Sequence, residues 1–109
     1  MRLPMSPAAS GLLRELVSRG ACDRDRILLI DVTSVEWQSL TFVGERHRLE
    51  VRVTGPDASE MVHRIGEGLE DADLAVSGHI VADIRCNCER TPAGDGSITF
   101  VVEALTVEE

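Results

Sequence analysis

The chain has 109 residues, enough for one domain, since a second core would need roughly another hundred. It is 43% apolar and 28% charged, the ordinary mix of a globular protein. Its 19 acids against 11 bases leave a formal charge of -8, with Trp37, Phe42 and Phe100 as the aromatics, which argues against a phosphate-binding surface or a base-stacking platform and so against nucleic acid as a partner.

Residues Ser6-Pro7 pair an N-cap with a proline at the first helical position. Ala9, Leu12, Leu13, Leu16 and Val17 then share one broad face, and Gly20 is a natural stop. This predicts a first helix over 7–19. From Ile27 the pattern turns strand-like but drifts in phase: Leu28, Ile30 and Val32 share one face, Val35 and Trp37 the other, and Leu40 and Phe42 return to the first. A period-2 element that slips needs a bulge or a break. A bend near Thr33-Ser34 and a bulge near Gln38-Ser39 are expected. Gly44-Glu45 suits a type II′ hairpin turn, which would set Phe42 opposite His47 and bring Trp37 onto a buried inner face.

The return strand alternates cleanly, with His47, Leu49, Val51 and Val53 on one side and Arg46, Arg48, Glu50 and Arg52 on the other. Thr54-Gly55-Pro56-Asp57 reads as a helix start. Ala58, Met61, Val62, Ile65 and Leu69 keep helical spacing, so a second helix is expected to end near Leu69. Leu74 to Cys88 forms the third expected strand, with Ile80, Ala82, Ile84, Cys86 and Cys88 on one face and His79, Asp83 and Arg85 on the other. Residues 91–96 form a hairpin loop. Ile98, Phe100, Val102 and Ala104 line the inner face of a last strand that reaches about Val107.

The order α-β-β-α-β-β predicts a two-layer α+β domain over 1–109, with residues 1–6 as an expected disordered lead-in. Its antiparallel four-stranded sheet carries two helices on one face.

The chain begins without an apolar stretch of signal-peptide length, and no run approaches the ~20 apolar residues of a membrane span. Three cysteines make no even disulfide framework. A cytoplasmic location with reduced thiols is expected, with no membrane partner.

All 11 bases are arginine. A GC-rich codon bias accounts for this over the whole chain, and it excludes Schiff-base and lysine-base chemistry.

Cys86-x-Cys88 invites a redox or metal reading. In a strand, however, i and i+2 lie ~6.6 Å apart, beyond disulfide reach and poorly placed for one zinc ion. Both are read as small core residues, and neither metal nor cofactor is expected. His79 and Asp83 are the weak catalytic candidates, but at roughly 13 Å along one strand they could act only with a partner from elsewhere. Arg46, Arg48, Arg52 and Arg85 are the weak ligand-binding candidates, as an anion-binding stripe; the competing reading is an edge strand protected by charge.

No nucleophile elbow, phosphate loop or paired-carboxylate pattern is present, which leans away from an enzyme. The expected function is a small non-catalytic domain acting through self-association, a dimer above all, or through a protein partner. Two helices cover one face of the sheet, leaving Val81, Val101, Leu105 and Val107 among His79, Asp83 and Arg85 on the other. The alternative is a small enzyme or anionic-ligand-binding protein with its site at a subunit interface.

Overall fold

A computed structural model describes residues 5–20, 24–87, 91–92 and 94–109. Helix α1 (Pro7–Gly20) starts as its sequence predicts: the Ser6 carbonyl accepts from Ser10 N (2.9 Å), and the Ser6 Oγ accepts from Ala9 N at 3.2 Å. Strands β1 (Ile27–Gln38) and β2 (Val43–Val53) form the first hairpin, followed by helix α2 (Ala58–Gly66). Strand β3 (His79–Cys86), the two-residue β4 (Thr91–Pro92) and β5 (Ile98–Glu108) complete the chain. One-turn 3-10 helices precede β1 (Arg24–Arg26) and follow α2 (Leu69–Asp71).

This is the α+β fold the element order implies. The sheet is antiparallel and its strands run β1-β2-β5-β3, with β4 beside β5. Both helices pack on one face. Leu12 and Leu16 of α1 and Met61, Val62 and Ile65 of α2 are fully buried against Leu49, Val51, Phe100 and Val102 of the sheet. At roughly 1.5–3 kcal/mol per buried aliphatic or aromatic side chain, this cluster is the main favourable term in folding.

Two arginines tie α2 to its neighbours, one at each end. Arg19 at the end of α1 donates from Nε to the Ile65 carbonyl (3.0 Å) and from Nη2 to the Glu67 carbonyl, satisfying carbonyls that the end of α2 leaves open. Arg26 donates to the Thr54 carbonyl (3.1 and 2.9 Å) and pairs with Asp57, the residue before α2. Asp57 makes no side-chain cap to the helix.

The strand faces depart from the expected phases in two places, both bulges. In β1 the register slips at Ile30, between Leu29 and Asp31, and not near Gln38-Ser39. Alternation is then unbroken: Val32 and Ser34 lie on the helix side, with Asp31, Thr33, Val35 and Trp37 on the open side. The hairpin turn is also displaced. Gln38 pairs with Val43, so residues 39–42 make the loop. Its closure comes from Ser39, whose N donates to the Phe42 carbonyl (2.9 Å) and whose Oγ accepts from Phe42 N (3.0 Å). His47 therefore opposes Ser34 rather than Phe42, and Leu40 and Phe42 project from the loop into solvent.

Gly44 is a strand residue, not a turn residue. Its Cα lies between Trp37 on β1 and Val107 on β5. A Cβ there would collide with the Thr106 carbonyl oxygen and meet Trp37 Nε1 at 3.0 Å. The bare backbone lets the indole lie across β2, so Trp37 is half-buried on the open face, not buried on the inner one as expected.

The second bulge is in β3, between Val81 and Asp83. β3 itself begins at His79 instead of Leu74. Residues 74–78 instead form an approach ending in a tight turn, in which His79 N donates to the Val76 carbonyl (3.0 Å) and Gly78 takes φ +75°. Val76 is buried against α1 at Gly11, where a Cβ would come within 2.8 Å of Val76 Cγ1. Cys86 lies on the helix side, half-buried against the core. The expectation for Cys88 falls outside the described residues.

Candidate functional site

The register places every predicted site residue. On the open face, Val35, Arg46, Leu105 and Asp83 form one row across β1, β2, β5 and β3; Thr33, Arg48, Glu103 and Arg85 form the next. Asp31, Glu50 and Val101 follow, and Arg52 lies near the end, where its Nε donates to Thr99 Oγ1 at 3.3 Å. The arginines thus do share one face, but they do not converge. Glu103 separates Arg48 from Arg85, and Asp83 pairs with Arg85 at 3.6 Å. A dent of about 90 Å³ over Leu105 is rimmed by Arg46, Asp83, Arg85 and Glu103.

His79 and Asp83 are not brought together. The bulge at Ala82 puts His79 and Val81 on the helix side, opposite Glu108 and Thr106, and leaves Asp83 on the open side. His79 donates from Nδ1 to the Ser77 carbonyl at 2.9 Å. The side chains expected to mix with Val101, Leu105 and Val107 are therefore Asp83 and Arg85, with Ile80 in place of Val81.

On the helix side, His47, in phase with Leu49 as expected, joins a polar cluster with Ser34 and Thr106 that the sequence pattern did not assemble. His47 is 3% exposed, with its Nδ1 2.8 Å from Ser34 Oγ and its Nε2 2.8 Å from Thr106 Oγ1. Thr106 is fully buried. Burial lowers the His47 pKa, Glu45 opposes the shift and His79 adds to it. The ring is thus held neutral between two hydroxyls, one accepting its N–H and the other donating to its bare nitrogen. A serine beside an imidazole base is the beginning of nucleophilic chemistry. Here, however, the third member is a hydroxyl rather than a carboxylate, and both ring nitrogens are already satisfied. The arrangement is that of a buried histidine with its hydrogen bonds complete. The signal was present as Ser34 and Thr106 in apolar phases, but the displaced turn hid the pairing.

The open face has a distinct charge pattern. Four arginines (46, 48, 52, 85) meet four carboxylates (Asp31, Glu50, Asp83, Glu103) on it. The face is formally neutral on a chain of charge -8. Its apolar residues are also unevenly placed. Of the large hydrophobics exposed among the described residues, Leu28, Ile30, Val35, Leu40, Phe42 and Val43 all belong to the β1–β2 hairpin, and only Ile80 lies elsewhere. The hairpin is one outer margin of the sheet, because β1 has no strand beyond it. Among the described residues, no three His, Cys, Asp or Glu side chains group to hold a metal ion. In the same residues, no helix is long and apolar enough to cross a membrane. Compared with known proteins, the chain matches no family model and no curated protein.

Proposed function

We propose that this protein is a small non-catalytic assembly domain whose activity is to bind a second copy of itself, through the margin and open face of its sheet. One observation carries the reading: the exposed apolar side chains gather on a single hairpin, next to a face without net charge. Scattered exposed hydrophobics need no explanation, but a cluster beside a polar rim marks a contact surface. The neutrality of the face favours a like partner, since two copies of a -8 chain meet there without opposing like-charged surfaces. A cytoplasmic setting with reduced thiols belongs to the same reading.

The alternative, an anionic ligand held at a subunit interface by Arg46, Arg48 and Arg85, has less support. Asp83 and Glu103 stand among those arginines and offset their field. Sedimentation equilibrium at tens of micromolar tests the proposal. A dimer mass is expected, and a single species at 11.9 kDa would refute it.

A further inference from the structure

We infer that the second copy docks on the outer edge of β1, its own β1 running antiparallel about a two-fold axis through Val35, so that the two sheets join into one. This rests on the self-association proposed above and specifies how it is made.

The backbone phase of β1 is set by bonds at both ends of the hairpin. Thr54 N donates to the Arg26 carbonyl, and Ser39 N to the Phe42 carbonyl, each at 2.9 Å. Antiparallel ladders alternate bonded and non-bonded pairs. With the observed register, the residues that bond β2 are therefore Asp31, Thr33, Val35 and Trp37. The N–H and C=O groups of Val32, Ser34, Glu36 and Gln38 point the other way, off the sheet. No strand meets them among the described residues. This stretch keeps one register between the bulge at Ile30 and the loop at Ser39, and contains neither proline nor lysine. It lacks those usual guards of an edge strand.

An antiparallel two-fold that keeps the faces matched must pass through a residue, and the side chains choose which one. Centred on Glu36, it would set two carboxylates directly opposite, which is unfavourable. Centred on Ser34, it would set Asp31 against Trp37 and Glu36 against Val32. Centred on Val35, it sets Val35 against itself and Trp37 against Thr33 on the open face, with Ser34 against Glu36 and Val32 against Gln38 on the other. No like charges then stand directly opposite. The Val35 pair is of the non-bonded kind, whose side chains approach closest, and Val35 is 57% exposed in the single chain. An aromatic beside a β-branched residue is a favourable cross-strand pair. The outward groups supply about eight backbone hydrogen bonds. The two Glu36 side chains are left on a diagonal, about 7–8 Å apart.

The test uses the full chain in two measurements. In amide hydrogen exchange followed by NMR, Val32, Ser34, Glu36 and Gln38 should exchange as free amides at low concentration and at least 10-fold more slowly once the dimer forms. Sedimentation of two variants supplies the second arm. Glu36→Pro removes an outward N–H that β2 does not use, and should weaken the dimer at least 10-fold. Glu60→Gln, exposed on α2 and away from both the edge and the open face, should leave it intact. A dimer in which those four amides stay fast, or one that Glu36→Pro spares, overturns the edge pairing but leaves self-association standing. A wild-type monomer at all concentrations overturns both. The exchange arm needs no substitution, so a misfolded Glu36→Pro chain would not rescue the inference.

Discussion

His47 is buried, and its two hydroxyl partners do the work that solvent does for an exposed imidazole. Its folded pKa is lowered, chiefly by burial, so below the ordinary value near 6.5 the unfolded chain takes up a proton that the folded chain refuses. The stability this supplies is complete above about 6.5 and is lost as the pH falls through the folded pKa. Guanidinium unfolding at pH 7.5 and 5.5 should show a drop in midpoint for the wild type and a smaller drop for His47→Gln. Ser34→Ala leaves one ring nitrogen unsatisfied and should cost about 1–3 kcal/mol. Asp57 titrates in a lower window. Its hydrogen bond from Arg26 is the main cause of a lowered pKa. The stabilisation is therefore present above the ordinary carboxylate range and fades as the pH drops through the folded value. Asp57→Asn should flatten that acid limb in the same unfolding experiment.

At the scale of the element, Gly44 and the two bulges decide how the sheet presents itself. Gly44→Ala would drive a Cβ into the Thr106 carbonyl of the neighbouring strand. It should cost about 1–3 kcal/mol, the range for overpacking, and shift the Trp37 fluorescence as the indole is displaced. Leu16→Ala, in the middle of α1, should cost about 2–5 kcal/mol by the same unfolding assay, because its side chain is fully enclosed. Both helices, the return strand and the last strand were legible because each carries an unbroken period: 3.6 for Leu12, Leu16, Met61 and Ile65, and 2 for Leu49, Val51, Phe100 and Val102. What could not be read were the bulges. Ile30 and Ala82 look like any other strand residues, yet each shifts everything after it to the opposite face. The separation of His79 from Asp83 and the place of Trp37 both follow from such shifts. The drift of apolar phase did signal that β1 contained a fault, but period alone could not say where. The turn was misplaced for a related reason: Gly44 can serve a hairpin or a close strand approach, and Ser39, the residue that closes the loop, carries no glycine or proline signal.

For the whole molecule, charge sets how association should respond to its surroundings. Each copy carries -8, and most of that charge lies away from the neutral face. Added salt should therefore strengthen self-association up to a few tenths molar, as the Debye length falls below the ~8 Å of physiological buffer. Sedimentation at low and moderate sodium chloride checks the direction, and a dimer that salt dissolves would point to attractive rather than screened contacts.

The strand order has a consequence for how the chain comes to be folded at all. β5 is made last among the elements and yet stands between β2 and β3. Its partners on β2 lie far back, Gly44 and Val107 being about sixty residues apart in sequence. While residues 98–108 are still unsynthesised, the first hairpin has no inner neighbour, β3 has no strand to join, and the helices have half a floor to pack on. A ribosome-bound chain stopped before Ile98 should therefore remain open to protease, and protection should arrive in a single step once β5 has cleared the exit tunnel. Closing loops of that size before any contact rewards them also places refolding toward the slow, millisecond-to-second end for small domains. Until β5 arrives, β2 is an unpaired margin, so the newborn chain briefly offers neighbouring molecules an edge that the finished sheet, whose outer strands are β1 and β3, has closed.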